Sequence, residues 1–152
     1  MPNDLIIEPA LPGEFVWSAR LMASNDPWKR LGRTFETSLA RLYRAGSTLY
    51  IARLGGEPAG FLLLDTYGVA GSPYIASVAT AEGMRGKGIG SAMVDFAERL
   101  FPNARYIFLC VSSFNPDARR LYERKGYTLV AELKDYAIDG ADEHLMSKRL
   151  NG

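Results

Sequence analysis

Three glycines at alternate positions stand beside two cations in the stretch "MRGKGIGSAM", residues 84–93, which runs directly into a helix-like segment. Gly86, Gly88 and Gly90 allow backbone angles that a side chain forbids, and they let a ligand approach the main chain. Unpaired N–H groups at a helix mouth, with the helix dipole behind them, attract anions and phosphates in particular. Arg85 and Lys87 add side-chain charge. The same residues also read as a glycine turn with solvated cations. Two nucleotide-binding patterns fail on spacing. A Walker loop begun at Gly83 finds its second glycine at Gly88 but has Ile89 where lysine belongs. Gly86, Gly88 and Gly90 lack the G-x-G-x-x-G interval of a dinucleotide fingerprint.

A second group of candidates lies in "NPDARRLYERKG", residues 115–126. Asn115 and Tyr122 are nearly two helical turns apart and share a helix face. Read from the helix alone, Tyr122 is a core residue beside Leu121. Asn115 is likewise a helix cap. His144 is the one histidine and Cys110 the one cysteine, so neither a zinc site nor a Cys–His nucleophile pair has support, and no metal is expected. His144 titrates in a useful range, and Glu82 could pass a proton through water. Neither singles itself out as a base.

The bulk properties set limits on partners and class. A chain of 152 residues is expected to form one domain, residues 1–152, able to bury a core without staples. Its 47% hydrophobic and 23% charged residues match an ordinary globular protein. A net charge of +1 supplies no global field for nucleic acid or a membrane surface, so any anion site must be local. The opening "MPNDLIIEPALPGEF" has neither the basic region nor the apolar run of a signal peptide or membrane span. Cys110 excludes an internal disulfide and fits a reducing compartment. The expectation is a cytoplasmic protein.

These residues need elements to hold them. Residues 4–9 read as a short strand. Helical regions follow at 12–23 and 26–46, the latter capped by Asp26 with Pro27 in its first turn, carrying a Phe35, Leu39, Leu42 stripe and stopping at Gly46. "STLYIARL" and "PAGFLLLD" flank "GGE" as a hairpin, and "SPYIASVAT" is a further strand ending just before the glycine loop. "GSAMVDFAERLF" is helical, with Ala92, Phe96 and Leu100 on one face. "RYIFLCV" is a strand buried on both faces. Residues 115–126 are helical, and a hairpin closes the chain. The order β-α-α-β-β-β-α-β-α-β-β indicates an α/β or α+β sandwich.

"RGKGIG" resembles the R/Q-x-x-G-x-G/A acyl-CoA loop of the GCN5-related N-acetyltransferase (GNAT) superfamily. "SVAT" is similar to the fourth strand of that family. Asn115, Ala118, Tyr122, Gly126 and Tyr127 fall in register with its N-x-x-A-x-x-x-Y-x-x-x-G-[FY] segment. The resemblance covers about residues 48–150 and reaches the N-terminal third through element order alone. It implies a mixed, mostly antiparallel sheet of about seven strands, helices on both faces and a splayed fourth/fifth strand pair.

Its functional implication is an N-acetyltransferase that moves an acetyl group from acetyl-CoA to a primary amine by direct transfer in a ternary complex. Val78 and Thr80 would contact pantetheine through the backbone. Arg85, Gly86, Lys87, Gly88, Ile89, Gly90 and Ser91 would cradle the pyrophosphate, with Asn115 also at the coenzyme. Tyr122 would be the general acid, and the backbone near Val78 would serve the oxyanion. Relatives that acetylate protein N-termini carry a glutamate where this chain has Cys110, a departure that puts that subtype in doubt. Arg119, Arg120 and Arg124 could reach coenzyme phosphates or be solvated.

The acceptor is a small-molecule or peptide amine. Its wall would include the region of Trp17, Trp28, Arg30, Arg33 and Tyr43, placed in the N-terminal helices, and the segment from Asp135 to His144. Arg30 and Arg33 suit a carboxylate on the amine, whereas Asp139, Asp142 and Glu143 suit a polyamine. Similar proteins often pair, so a homodimer is the assembly the resemblance implies. The alternative from another class is a non-catalytic acyl-CoA sensor or scaffold, which has no need of an acid at Tyr122.

Overall fold

The computed structural model describes residues 4–26 and 28–151. Its elements are β1 (Leu5–Pro9), α1 (Pro12–Ser24), α2 (Phe35–Leu42), β2 (Ser47–Leu54), β3 (Glu57–Val69), β4 (Ser72–Thr80), α3 (Ile89–Arg99), β5 (Tyr106–Ser112), α4 (Pro116–Arg124), β6 (Thr128–Ile138) and β7 (Ala141–Arg149). The strands form one seven-stranded sheet in the order β1-β2-β3-β4-β5-β7-β6. Every neighbouring pair is antiparallel except β4 with β5, which is parallel. Among the described residues no helix is long and apolar enough to cross a membrane.

The period of two along β3 sorts the core onto two faces. Leu62 and Leu64 enter a cluster with Ile89, Met93, Val94 and Ala97 of α3 and Tyr122 of α4. Phe61 and Leu63 face the other way, against Ala19 and Met22 of α1 and Leu42 of α2. The sheet is thus covered on both sides, as expected for a strand with an unbroken apolar run.

The parting of β4 from β5 dominates the architecture. The two strands register only at Tyr74↔Phe108 and Ile75↔Leu109. On the other side of β4, Leu64 pairs with Ile75 and Leu63 with Ser77, so Ala76 is an extra residue in the ladder. A bulge of this kind bends its strand and sharpens the local twist. The bend lies where pairing to β5 stops.

Two sequence expectations need correction. The second helical region is much shorter than residues 26–46: only Phe35–Leu42 is helical, started by Thr34, whose hydroxyl accepts the N–H of Thr37 at 3.1 Å. Asp26 caps no helix. Its carboxylate accepts the N–H of Arg30 at 3.2 Å in a turn segment that continues through Gly32, at φ +84°. Trp28, Arg30 and Arg33 therefore sit on a connection; the assignment of Pro27 lies outside the described residues. On α3, Leu100 caps the C-terminus and is partly exposed. Ala92 is buried and Phe96 packs against the core as expected, and Ile89, Met93, Val94 and Ala97 widen the buried face.

Gly60 marks how tightly α3 and β4 approach β3. A Cβ there would lie 2.7 Å from the carbonyl oxygen of Ala79 and 2.9 Å from Met93 Cε. The carbonyl is backbone and cannot swing aside. Gly60→Ala is expected to destabilise the fold by roughly 1–3 kcal/mol, the usual cost of overpacking. Urea denaturation measures it, and a variant as stable as the parent would show that this approach has slack.

Candidate active site

The glycine loop is shaped by its backbone. Gly83, Gly86 and Gly88 have φ of +82°, +80° and +77°, a region that side chains disfavour. Gly88 is the N-cap of α3 and offers no side-chain cap, and the first turn of α3 carries no acid. The N–H groups at this helix start are left for an incoming acceptor. No atom lies within 4 Å of where a Cβ would stand at Gly86 or Gly88, so the cradle is open. Arg85 is drawn toward α1, its Nη2 donating to Asn25 Oδ1 at 3.2 Å.

Beside the loop lies a chamber of about 430 Å³, lined in part by Val78, Thr80, Arg85, Gly90, Asn115 and Tyr122. A second chamber of about 270 Å³ lies toward β5 and β7, with Tyr74, Cys110, Ser112, Glu143, Arg33 and Arg41 in its wall. Trp28, Val78, Asn115, Ala118 and Tyr122 line both. The two chambers meet at the parting of the strands.

Most of the residues named from the sequence converge here, with exceptions. Gly86, Lys87 and Gly88 are exposed in the loop. Ile89 turns its side chain into the core, so only its backbone is available to a ligand. The Ser91 hydroxyl accepts from Lys125 Nζ at 3.0 Å. Asn115 caps α4, its Oδ1 accepting the Ala118 N–H at 3.3 Å. Tyr122 is nearly fully buried, and its hydroxyl makes no hydrogen bond to any described residue. Burial pushes its pKa up to about 12, which keeps the phenol neutral.

Other candidates stand elsewhere. Arg119 Nη1 bonds His144 Nδ1 at 2.9 Å, and Arg120 pairs with Asp117. Neither those arginines nor Arg124 lines either chamber. Because the guanidinium donates, Nδ1 of His144 must accept, and Nε2 faces Glu132 at 3.7 Å. His144 is thereby engaged away from the cleft, and Glu82 is exposed outside it. Trp17 packs in the α1/α2 core, and Tyr43 stacks on Phe15 with ring centroids 4.4 Å apart. Arg30 lies 4.5 Å over the Phe114 ring in the larger chamber, whereas Arg33 lines the smaller. Asp142 accepts the Asp135 N–H at 3.1 Å within the last hairpin, and Asp139 is exposed.

Glu143 is the titratable group that sequence reasoning undervalued. It registers opposite Ser112 on β5, whose hydroxyl donates to Oε1 at 2.8 Å. Burial pushes its carboxyl up, against the lowering effects of that hydrogen bond and of His144. On the same wall the Tyr74 hydroxyl and the Cys110 thiol are both pushed up, chiefly by burial. The sequence signal was available: Ser112 and Cys110 alternate on one face of β5. Which residue of β7 meets that face is a matter of register.

A mixed sheet parted at one strand pair, with a glycine loop at the mouth of a helix, is the fold of solved acetyltransferase structures. Ard1 from Thermoplasma volcanium superposes with a TM-score of 0.79 at 22% identity, covering 98% of this chain and 99% of that one. A GNAT family acetyltransferase from Elizabethkingia anophelis, solved with acetyl-CoA bound, gives 0.74 at 18% identity, covering 97% and 99%. At such identities the likeness is one of fold. The sequence profile of the acetyltransferase (GNAT) family matches residues 14–127, and the chain belongs to that family. An uncharacterized N-acetyltransferase of Methanocaldococcus jannaschii is 36% identical over 105 residues, 66% of this chain and 65% of that protein. An N-alpha-acetyltransferase of Saccharolobus solfataricus is 34% identical over 80 residues, 51% of this chain and 48% of that protein. The matches thus span about two-thirds and about half of these relatives.

The Glu143 geometry has a measurable consequence. Carbon-detected NMR titration is expected to place its carboxyl above the ordinary glutamate value. Ser112→Ala should raise it further, because the lost hydroxyl donates to the charged form. A downward movement would contradict the assignment.

Proposed function

We propose that the protein transfers an acetyl group from acetyl-CoA to a primary amine by direct attack, with both substrates bound together. The observation that carries this reading is the meeting of two chambers at the parting of β4 and β5, with Tyr122 in the wall of both. The larger chamber, with the loop at its side, fits the coenzyme arm and diphosphate. Main-chain N–H groups from Gly86 to Ser91 hold the diphosphate, supported by Arg85 and Lys87. Val78 and Thr80 offer backbone groups to the pantetheine amides, and Asn115 lies beside the same arm.

Acetyl-CoA supplies an activated thioester carbonyl. The residues do the rest. Backbone near Val78 stabilises the oxygen as it gains charge. Glu143, reached directly or through a water, takes the proton that the amine loses as its nitrogen bonds to carbon. Tyr122 donates to the sulfur as the carbon–sulfur bond breaks. Its pKa of about 12 stands above the ~8.5 of a free thiol. The phenol therefore serves chiefly as a hydrogen-bond donor to the developing thiolate, and proton delivery comes late. This mismatch places its contribution at the low end of general-acid effects. Support for the glutamate comes from its location: a carboxylate that relatives acting on protein N-termini carry at the position of Cys110 here stands one strand away, on β7.

Two measurements test the reading. Gly88→Val forces a β-branched residue into a φ of +77° and fills the cradle. Coenzyme A affinity by calorimetry should fall by at least roughly tenfold, ~1.4 kcal/mol. Unchanged affinity in a folded variant would remove the loop from the coenzyme site. Tyr122→Phe should lose on the order of 10²-fold in kcat with coenzyme affinity retained. Because the neutral phenol persists, wild-type kcat should show no alkaline fall from this group below about pH 10. Equal turnover in the two proteins would remove Tyr122 as the proton donor, and failure to find any acceptor would favour the sensor over the enzyme.

A further inference from the structure

The smaller chamber has a charge imbalance that the transfer chemistry leaves unused. Arg33 and Arg41 stand in its wall, and Arg41 and the neighbouring Arg44 share the carboxylate of Asp65. That carboxylate already accepts three hydrogen bonds. Oδ2 accepts from Arg41 Nη2 at 2.9 Å and Arg44 Nη2 at 3.4 Å, and Oδ1 accepts the Ser47 hydroxyl at 2.5 Å. Arg33 is left over. It is half-buried in the chamber wall, and its guanidinium makes no hydrogen bond or ion pair to any described residue.

A guanidinium rarely loses hydration without a partner, since burying a charge is costly unless it is paired. Burial lowers the pKa of Arg33, and the neighbouring Arg41 and Arg44 lower it further, so no protein anion compensates it. Its backbone is held in place: the N–H of Arg33 donates to the Trp28 carbonyl at 2.9 Å, closing the turn that carries both residues into the cleft. A planar guanidinium fork matches a carboxylate in two parallel contacts. The same chamber is also lined by Glu143, which suits the amine, and by Tyr122. Arg30, paired with it in the sequence reading, lies over Phe114 in the other chamber and takes no part.

We propose that Arg33 anchors a carboxylate on the acceptor, so that the acceptor is a small amine bearing a carboxylate, of the amino-acid class. Amine and carboxylate would then meet Glu143 and Arg33 in one chamber. This rests on the acetyl-transfer reading.

The test compares kcat/KM for thiol release from acetyl-CoA across a panel of amino acids, each paired with the amine left by removing its carboxylate. Wild-type protein, Arg33→Ala and Arg33→Lys are assayed, with acetyl-CoA affinity by calorimetry as the folding control. The wild type should prefer the carboxylate-bearing member of its best pair by roughly tenfold or more, the worth of one charged contact. Arg33→Ala should abolish that preference mainly through KM, and Arg33→Lys should restore part of it. Acetyl transfer with no preference for the carboxylate, or a preference that survives Arg33→Ala, overturns the anchor and leaves the acetyl-transfer reading standing. Transfer confined to peptides or polyamines overturns it equally. Failure of the wild type to bind acetyl-CoA removes both.

Discussion

The parting of β4 and β5 is the constraint on which the rest of the molecule depends. Past Ile75, the β5-facing edge of β4 has no strand partner. Backbone N–H and C=O groups cannot be buried unpaired at low cost, so the parting is stable only as a cleft open to water or to a ligand with amides of its own. The bulge at Ala76 turns the strand where the cleft begins. The helices then have to cover two sheet faces without closing the gap, and both chambers lie where they stop short.

Tyr122 is held by contacts remote from its hydroxyl. Asn115 caps the start of α4, and at its end Gly126 takes φ +98° while the Tyr127 N–H returns to the Tyr122 carbonyl at 3.0 Å. Lys125 ties that end to Asp95 of α3 at 2.6 Å as well as to Ser91. Glu98 accepts from the Tyr127 hydroxyl at 3.0 Å and from Lys148 at 2.8 Å. Taken singly, surface ion pairs add little stability. Here they join α3, which follows the loop, to α4, which carries the phenol, and to β7. Their effect is on position more than on energy.

The two chambers differ in how they present charge. On the loop side the positive character comes from backbone N–H groups and a helix start free of acids, which suits a diphosphate spread over several contacts. On the far side it comes from the Arg33 and Arg41 side chains, with Glu143 in the same wall. Each charged wall faces a chamber lined largely by apolar and aromatic groups such as Val78 and Trp28, where electrostatic contacts are less screened than in water.

Local patterning alone determined a good deal of this. Alternation and turn residues gave every element in order, because strand and helix periods and Gly or Pro punctuation are written in contiguous residues. The glycine loop and the Asn115–Tyr122 helix were legible for the same reason, since each motif is a single short segment. The stretch after Asp26 misled because its composition suits a helix, while the turn it adopts depends on Asp26 and Asn25 accepting nearby N–H groups and on packing of Trp28 against Phe61. What only the tertiary structure decided lies between segments distant in the chain. The insertion of β7 between β5 and β6 brings Glu143 beside Ser112 and moves His144 to the opposite side and into the grip of Arg119. A one-residue change in that register would exchange the faces of Glu143 and His144, because successive side chains on a strand point opposite ways.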